Sequence, residues 1–361
     1  MIFLFLFLAD WQTLSNPTTA KSMAFDVNGD VLLWIEAENR TTGTLYWSRL
    51  GKNGYGPAQA LDRGENWFIN WADFPKFARN GSTFLVSWLE QIPGDSPYAY
   101  GVRIRLSVDS GGTWGPAQWL HTDLSPGEHG FPSFTPEKEG FRAVCLDGRQ
   151  MHGEEGDQTL VTRWIGPQSL GPEQILDDRT CECCTTAIAS QGNAYWVAYR
   201  DRSAEEIRDI AIFHNGEATI PFPDHWQITG CPVNGPQLAF AGSSLGLIWF
   251  EGSDQGKVSF AQNHNGTWSE RRVLSVKSMG RLALTASDTT FYAAWLDFQN
   301  NKPELRVVTI GPEVTTLKVQ STSDQRKSGF PRLTVMDGTL ILATQTDSGI
   351  QTEKWSQDSV P

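Results

Sequence analysis

Apolar and polar residues alternate along this chain in short runs, and six of the runs end alike: a bulky residue, one spacer, then an acid. They read Trp34-Ile35-Glu36, Trp88-Leu89-Glu90, Cys145-Leu146-Asp147, Tyr199-Arg200-Asp201, Trp249-Phe250-Glu251 and Trp295-Leu296-Asp297. Successive copies lie 54, 57, 54, 50 and 46 residues apart, and a degenerate seventh sits at Thr344-Gln345-Thr346. Alternation with period two turns one face of a strand to the core and the other outward. A self-similar period of this length, built of strands, is the mark of a propeller.

One unit shows the plan. Between residues 74 and 120 the pattern predicts strands over 74–78, 83–90, 102–108 and 117–121, with Asn80-Gly81 as a turn. Four short antiparallel strands make one blade. The cycle restarts near Met23, Phe74, Phe131, Thr185, Pro236, Arg281 and Pro331. The last unit stops after its third strand, around Ile350 to Trp355, and the stretch Phe5 to Leu14 is the candidate for its fourth. Such closure removes exposed sheet edges. The expected fold is all-β, a propeller of four-stranded antiparallel blades, seven in number, with six the alternative if the weak unit packs differently.

No Pro/Ser-rich linker interrupts the repeat, so residues 1–361 read as a single domain. Residues 1–20 read equally as a closing strand or as the remnant of a signal peptide: residues 2–8 are apolar, but no basic segment precedes them and no small-x-small site follows. Nothing else approaches the ~20 apolar residues of a membrane span. Fifteen Trp and a charged fraction of only 19% suit half-buried strands. The net charge of -12 argues against a nucleic-acid or anionic-membrane binder. Nothing marks an oligomer interface.

Ser107, Asp109, Gly111, Thr113 and Trp114 match the Asp-box, S-x-D-x-G-x-T-W, and the segment ending Asn265-Gly266-Thr267-Trp268 is a decayed copy. The chain thereby resembles the sialidase-like propeller superfamily. The resemblance implies a folding motif, in which a polar side chain ties off the hairpin between strands three and four and the Trp packs between blades. It implies fold rather than activity. Sialidases hold the substrate carboxylate with three arginines, the first in an early Arg-Ile-Pro, and guanidinium forks suit that task. Here that first motif is missing, and Arg103-Ile104-Arg105 lies on a third strand instead. Arg200, Arg202, Arg208, Arg281 and Arg332 could supply later members, while Tyr199 aligns with the repeated Trp positions and reads as packing.

The distinctive chemistry is Cys181-Glu182-Cys183-Cys184, followed by Cys231 in Gly230-Cys231-Pro232-Val233-Asn234-Gly235-Pro236. The 50-residue blade offset carries Cys181 onto Cys231, and an offset of 54 carries His129 onto Cys183. Loops entering strand one and leaving strand two share a propeller face, so these cysteines share it with Asp147, Asp201, Glu251 and the segment Gly148 to His152. Together with Tyr199-Arg200-Asp201, Ile207-Arg208-Asp209 and the Cys-Pro-Val-Asn-Gly-Pro segment, the cluster resembles a bacterial group of sialidase-like propellers carrying Cys-x-Cys-Cys. That resemblance brings no settled activity.

Three readings of the thiols compete. Cys181, Cys183, Cys184 and Cys231, with His129, Met151 or His152, could hold a soft metal, copper being favoured over zinc by the mixed donors. The thiols could be redox-active, a pKa lowered by Arg200, Arg202 or Arg208. Or they form structural disulfides in an exported protein, Cys181–Cys231 stapling two blades. Cys145, in a Trp position of the repeat, reads as a buried small hydrophobe.

The charged run 200–209 offers Arg200, Asp201, Arg202, Arg208 and Asp209 as candidate catalytic or anion-binding residues, with Asp201 or Asp209 orienting an arginine. The repeated acids read as structural caps or partners of a neighbouring Arg. The leading expectation is an exported metal-binding or thiol-redox propeller, periplasmic or extracellular, taking a metal ion, a small anion or a glycan. A glycoside hydrolase of acidic sugars is the alternative, and a non-catalytic glycan- or protein-binding propeller a third.

Overall fold

The structure is a computed structural model describing residues 10–17, 24–94, 96–151 and 156–356. It contains seven antiparallel sheets in sequential order, and the only helical turn among the described residues is Arg326–Ser328. Blade 2 shows how closely the alternation set the elements: its strands are Lys76–Asn80, Thr83–Gln91, Tyr100–Ser107 and Gln118–Trp119. Blades 3 to 6 open with His129–Glu137, Ala187–Gln191, Gln237–Ala241 and Ser278–Ala286, and blade 1 with Phe25–Asn28.

Blade 7 takes Arg332–Met336, Thr339–Thr346 and Gly349–Ser356 from the C-terminus and Gln12–Leu14 from the N-terminus. The closing pairs are Gln12↔Lys354, Thr13↔Glu353 and Leu14↔Thr352. The expected closure is thus made by its last three residues; residues 1–9, Met23 and His152 lie outside the described set.

The repeated bulky residues Trp34, Trp88, Tyr199, Trp249 and Trp295 are among the largest fully buried side chains. They sit in the cores that adjoining blades share, and each such burial contributes ~1.5–3 kcal/mol. Cys145 packs the same way against Leu89, Tyr100 and Val161 between blades 2 and 3. The repeated acids are structural: Asp297 takes Arg306 at 3.0 Å, Asp147 takes Arg149 at 2.7 Å, and Glu251 accepts the Ser253 amide at 2.9 Å and faces Lys257.

The Asp-box forms as the motif implies. Asp109 Oδ1 accepts the Ser107 hydroxyl at 2.7 Å and the Thr113 amide at 2.8 Å, while Oδ2 accepts the Thr113 hydroxyl at 2.7 Å. The Thr113 amide first, then the hydroxyls, hold its carboxyl down at about 2. Trp114 meets Trp47 of blade 1 edge-on at 5.9 Å. Gly111 is obligatory: its φ is +89°, and a Cβ there would stand 2.3 Å from the Trp47 ring.

First strands of six blades line a central cavity of about 250 Å³.

Candidate functional site

The cysteine segment begins where blade 3 ends. Thr180 closes the strand Gln174–Thr180, and the Cys181 amide donates to the Arg200 carbonyl at 3.0 Å, tying the loop to blade 4. Cys181, Cys183 and Cys184 are all buried, with their three sulfurs within 4.8 Å of one another. Cys183 is disulfide-bonded to Cys231, Cα–Cα 6.0 Å. Cys181 and Cys184 are thiols 3.5 Å apart, and Cys231 is exposed.

This corrects the expected Cys181–Cys231 staple. Positions equated by the repeat lie one blade apart, and packed sheets stand ~10 Å from one another. A disulfide spans a Cα separation of only ~4.4–6.8 Å. Cys183, two residues further towards blade 4, comes within that reach. Cys183 and Cys184, adjacent in the chain, are not bonded to each other. With two of four sulfurs oxidised, the expected four-thiolate metal set reduces to Cys181 and Cys184, which have the C-x-x-C spacing.

The same reason removes His129. Its ring stacks on His121 at 4.4 Å, with Nδ1 3.3 Å from Asp147 and Nε2 3.3 Å from the Ser125 carbonyl. His121 is committed as well: its Nε2 accepts the Val102 amide at 3.0 Å, so Nδ1 donates to the Asp123 carbonyl at 2.6 Å. Burial first, then His129, pulls His121 down to about 4. His121, His129 and Asp147 form a buried group of metal-ligand type, yet their nitrogens already serve as a clasp between blades 2 and 3. Met151 stays half-buried in the turn after Asp147, its amide on the Gly148 carbonyl.

Three arginines surround the thiols, and their partners separate their roles. Arg200 is 2% exposed and donates to the carbonyls of Arg208 at 2.7 Å, Asn234 at 2.8 Å and Phe250 at 2.7 Å. It stitches blades 4 and 5 and lies over the Trp226 ring at 4.9 Å. Arg202 is held by Glu206 through Nε and Nη2 and by Glu182 through Nη1. Arg208 divides itself among Cys181 Sγ at 3.2 Å, Glu182 at 2.9 Å and Glu206 at 2.8 Å. The acids orienting these arginines are therefore Glu182 and Glu206, not the expected Asp201 or Asp209. Asp209 instead accepts the amides of Asp224 at 3.2 Å and Trp226 at 3.3 Å. Burial raises the Asp201 carboxyl to about 6.

The charge balance decides the state of Cys181. Three guanidiniums face two carboxylates, Glu182 and Glu206, in this network, and the hydrogen bonds of Arg200 go only to carbonyls. Burial opposes a thiolate at Cys181. The Cys184 thiol donating to it, Arg208, Arg200 and the Cys183 amide together overcome this and bring its pKa down to about 6. Burial and the neighbouring thiolate push Cys184 well up. The two shifts run in opposite directions and favour a Cys181 thiolate beside a Cys184 thiol.

Because the folded pKa lies below the ordinary thiol value of 9.0, ionised Cys181 stabilises the fold fully above about pH 9. That contribution is lost as pH falls through about 6. Arg208→Met should move the thiolate midpoint up by about one unit or more. An ultraviolet thiolate titration of the Cys184→Ser background reads this directly, and an unchanged midpoint would remove Arg208 from the account.

Two further acids sit at this mouth without any sequence signal that could have found them. Glu128 accepts the Tyr100 hydroxyl at 2.6 Å and is raised by burial to about 8; Asp73 accepts the Phe131 amide at 2.6 Å and is raised by burial to about 7. Glu182 was hidden in plain view between the cysteines.

No protein-family model matches the chain, and no curated protein matches it. Solved structures do share its fold. The Hadza microbial sialidase Hz136 is 12% identical with TM-score 0.51, over 90% of this chain and 75% of that one. A PL25 polysaccharide lyase described as an ulvan lyase is 10% identical with TM-score 0.54, over 96% and 94%. The β-propeller domain of the trilobed protease from Pyrococcus furiosus is 12% identical with TM-score 0.52, over 97% and 94%. The chain is thus similar to sialidase-type propellers in fold, at identities that carry the fold and nothing more.

Proposed function

We propose that this sialidase-fold propeller is an exported thiol–disulfide exchange protein whose centre is Cys181, Cys184 and the Cys183–Cys231 disulfide. The observation that carries the reading is one buried thiolate packed against a disulfide: Cys181 Sγ lies 3.5 Å from Cys184 Sγ and 3.2 Å from the Arg208 guanidinium, in one sulfur cluster with Cys183. Exchange proceeds by attack of a thiolate on a disulfide sulfur. Cys181 thiolate attacks Cys183 Sγ, the Cys183–Cys231 bond breaks, and Cys231 leaves as a thiolate that takes a proton from solvent. Cys184, losing its proton, then attacks Cys181 Sγ. Cys181–Cys184 forms, Cys183 is released as a thiol, and two thiols and one disulfide are conserved throughout.

Electrons enter from an outside partner at Cys231, the exposed sulfur. A partner dithiol reduces the centre in two exchange steps and leaves as a disulfide. A disulfide at the surface agrees with an oxidising compartment and so with export.

A soft-metal site is the second reading, favoured by the three clustered sulfurs. Reduction would present Cys181, Cys183 and Cys184 as a thiolate set suited to copper(I) over zinc. Against it, a cation would have to sit beside Arg208. Glycoside hydrolysis keeps the support of fold alone, since Arg200 and Arg202 have their donors engaged internally.

The deciding experiment is a glutathione redox titration followed by mass-spectrometric disulfide mapping, with metal analysis of each end-point. The exchange reading expects Cys181–Cys184 and Cys183–Cys231 isomers to interconvert in the metal-free protein, and Cys181→Ser to trap Cys183–Cys231. A single immovable disulfide would sink it. Copper bound only by the reduced form would install the second reading.

A further inference from the structure

The central cavity, remote in chemistry from the thiols, holds two cations whose needs the fold does not fill. Lys76 comes from the first strand of blade 2 and Arg332 from that of blade 7, and both line the cavity. They share one ring: Lys76 Nζ is 4.2 Å and Arg332 Cζ 3.5 Å from the Phe74 centroid. Arg332 Nε donates to the Phe25 carbonyl at 3.4 Å and Nη1 to its neighbour Pro331 at 3.3 Å. Among the described residues, Arg332 Nη2 and Lys76 Nζ have no hydrogen-bond acceptor.

The carboxyls near them are only partly committed elsewhere, each through one oxygen. Asp26, on the cavity wall, gives Oδ2 to the Phe77 amide at 3.0 Å and stands 3.7 Å from Arg332 Nε. Asp73, the other acid acting on Lys76, gives Oδ2 to the Phe131 amide and the Tyr100 hydroxyl. Burial and the Arg332 charge pull Lys76 down to about 8, and burial pulls Arg332 down to about 10. Two like charges held in a low-dielectric cavity with spare donors raise the local concentration of anions.

We infer that the central cavity is a binding site for a small oxyanion, phosphate or a short carboxylate, held between Lys76 Nζ and Arg332 Nη2. The remaining wall supplies neutral polar groups, among them Gln237 and Thr285. Size sets the class. A space of about 250 Å³ lies just below the ~300–1,000 Å³ of pockets for drug-sized ligands, and an inorganic or two- to three-carbon anion fits within it. The site shares no residue with the thiol centre and stands or falls apart from it.

Calorimetric titration of the full chain with inorganic phosphate, and separately with acetate, tests the inference. Saturable one-to-one binding of either anion is expected, weakened tenfold or more in Lys76→Met and weaker at about pH 9 than at neutral pH. Phosphate binding alone assigns a phosphate site, acetate binding alone a carboxylate site. No saturable binding by either up to ~20 mM, or equal binding by Lys76→Met, would overturn it. Should Lys76→Met not fold, nitrogen NMR of the wild-type lysines decides: the Lys76 pKa must rise on adding the anion, and a fixed value rejects the site.

Discussion

Replacing Arg200 by Met is expected to cost about 3–5 kcal/mol of folding stability, among the largest effects of any single substitution in this chain. The side chain is 2% exposed, and its donors satisfy the carbonyls of Arg208, Asn234 and Phe250. A buried acceptor stripped of its donor costs ~1–3 kcal/mol. Met matches the volume and leaves those carbonyls without this partner, so the loss is one of hydrogen bonds more than of packing. Urea unfolding reads it as a fall in midpoint at constant slope. A change below ~1 kcal/mol would mean that solvent or neighbours replace the guanidinium.

Arg200→Lys separates two roles. An ammonium keeps the charge but cannot reproduce the planar fork. The Cys181 thiolate midpoint should stay at the wild-type value, below that of an ordinary thiol, while stability still falls. A midpoint that moves with stability would show that geometry, not charge, depresses the thiol.

The second large effect is on the blade 4 and 5 junction. Cys183–Cys231 closes a sequence separation of 48 residues, for which chain-entropy reasoning gives ~4 kcal/mol and typical measurements ~2–4 kcal/mol. Cys183→Ser and Cys231→Ser should each lose that amount in the oxidised protein, and the double variant no more than either, because all three remove one bond. Reductant should bring wild type down to the variants. Two additive losses, or none, would show that the bond does not hold the oxidised fold together. Cys183→Ser should also leave Cys181 without its exchange partner, so the disulfide isomer Cys181–Cys184 cannot arise from internal exchange.

The candidate site was legible only in part. The rare cluster at 181–184, the second cysteine segment at 231 and the charged run at 200–209 were all visible as composition, and they do meet. Partner choice was not visible. Cys183 and not Cys181 reaches Cys231; Glu182 and Glu206 and not Asp201 or Asp209 hold the arginines; His129 belongs to a clasp with His121 and Asp147. Each difference has one source: strand periodicity fixes a residue's height and face in its blade, whereas contact between blades depends on a lateral distance the period does not contain.

The sequence by itself determined the blade. Alternation and turn residues are local, acting over a few bonds, so strand order, the Asp-box, the buried repeat position of Cys145 and the terminal closure could be written down from the order of residues. Tertiary structure alone decided the chemistry. A thiolate at Cys181 needs Arg200 and Arg208 brought from 19 and 27 positions away, and the cavity cations Lys76 and Arg332 lie 256 positions apart in the chain. Electrostatic energy depends on distance through space and on burial, and neither quantity is carried by spacing along the chain.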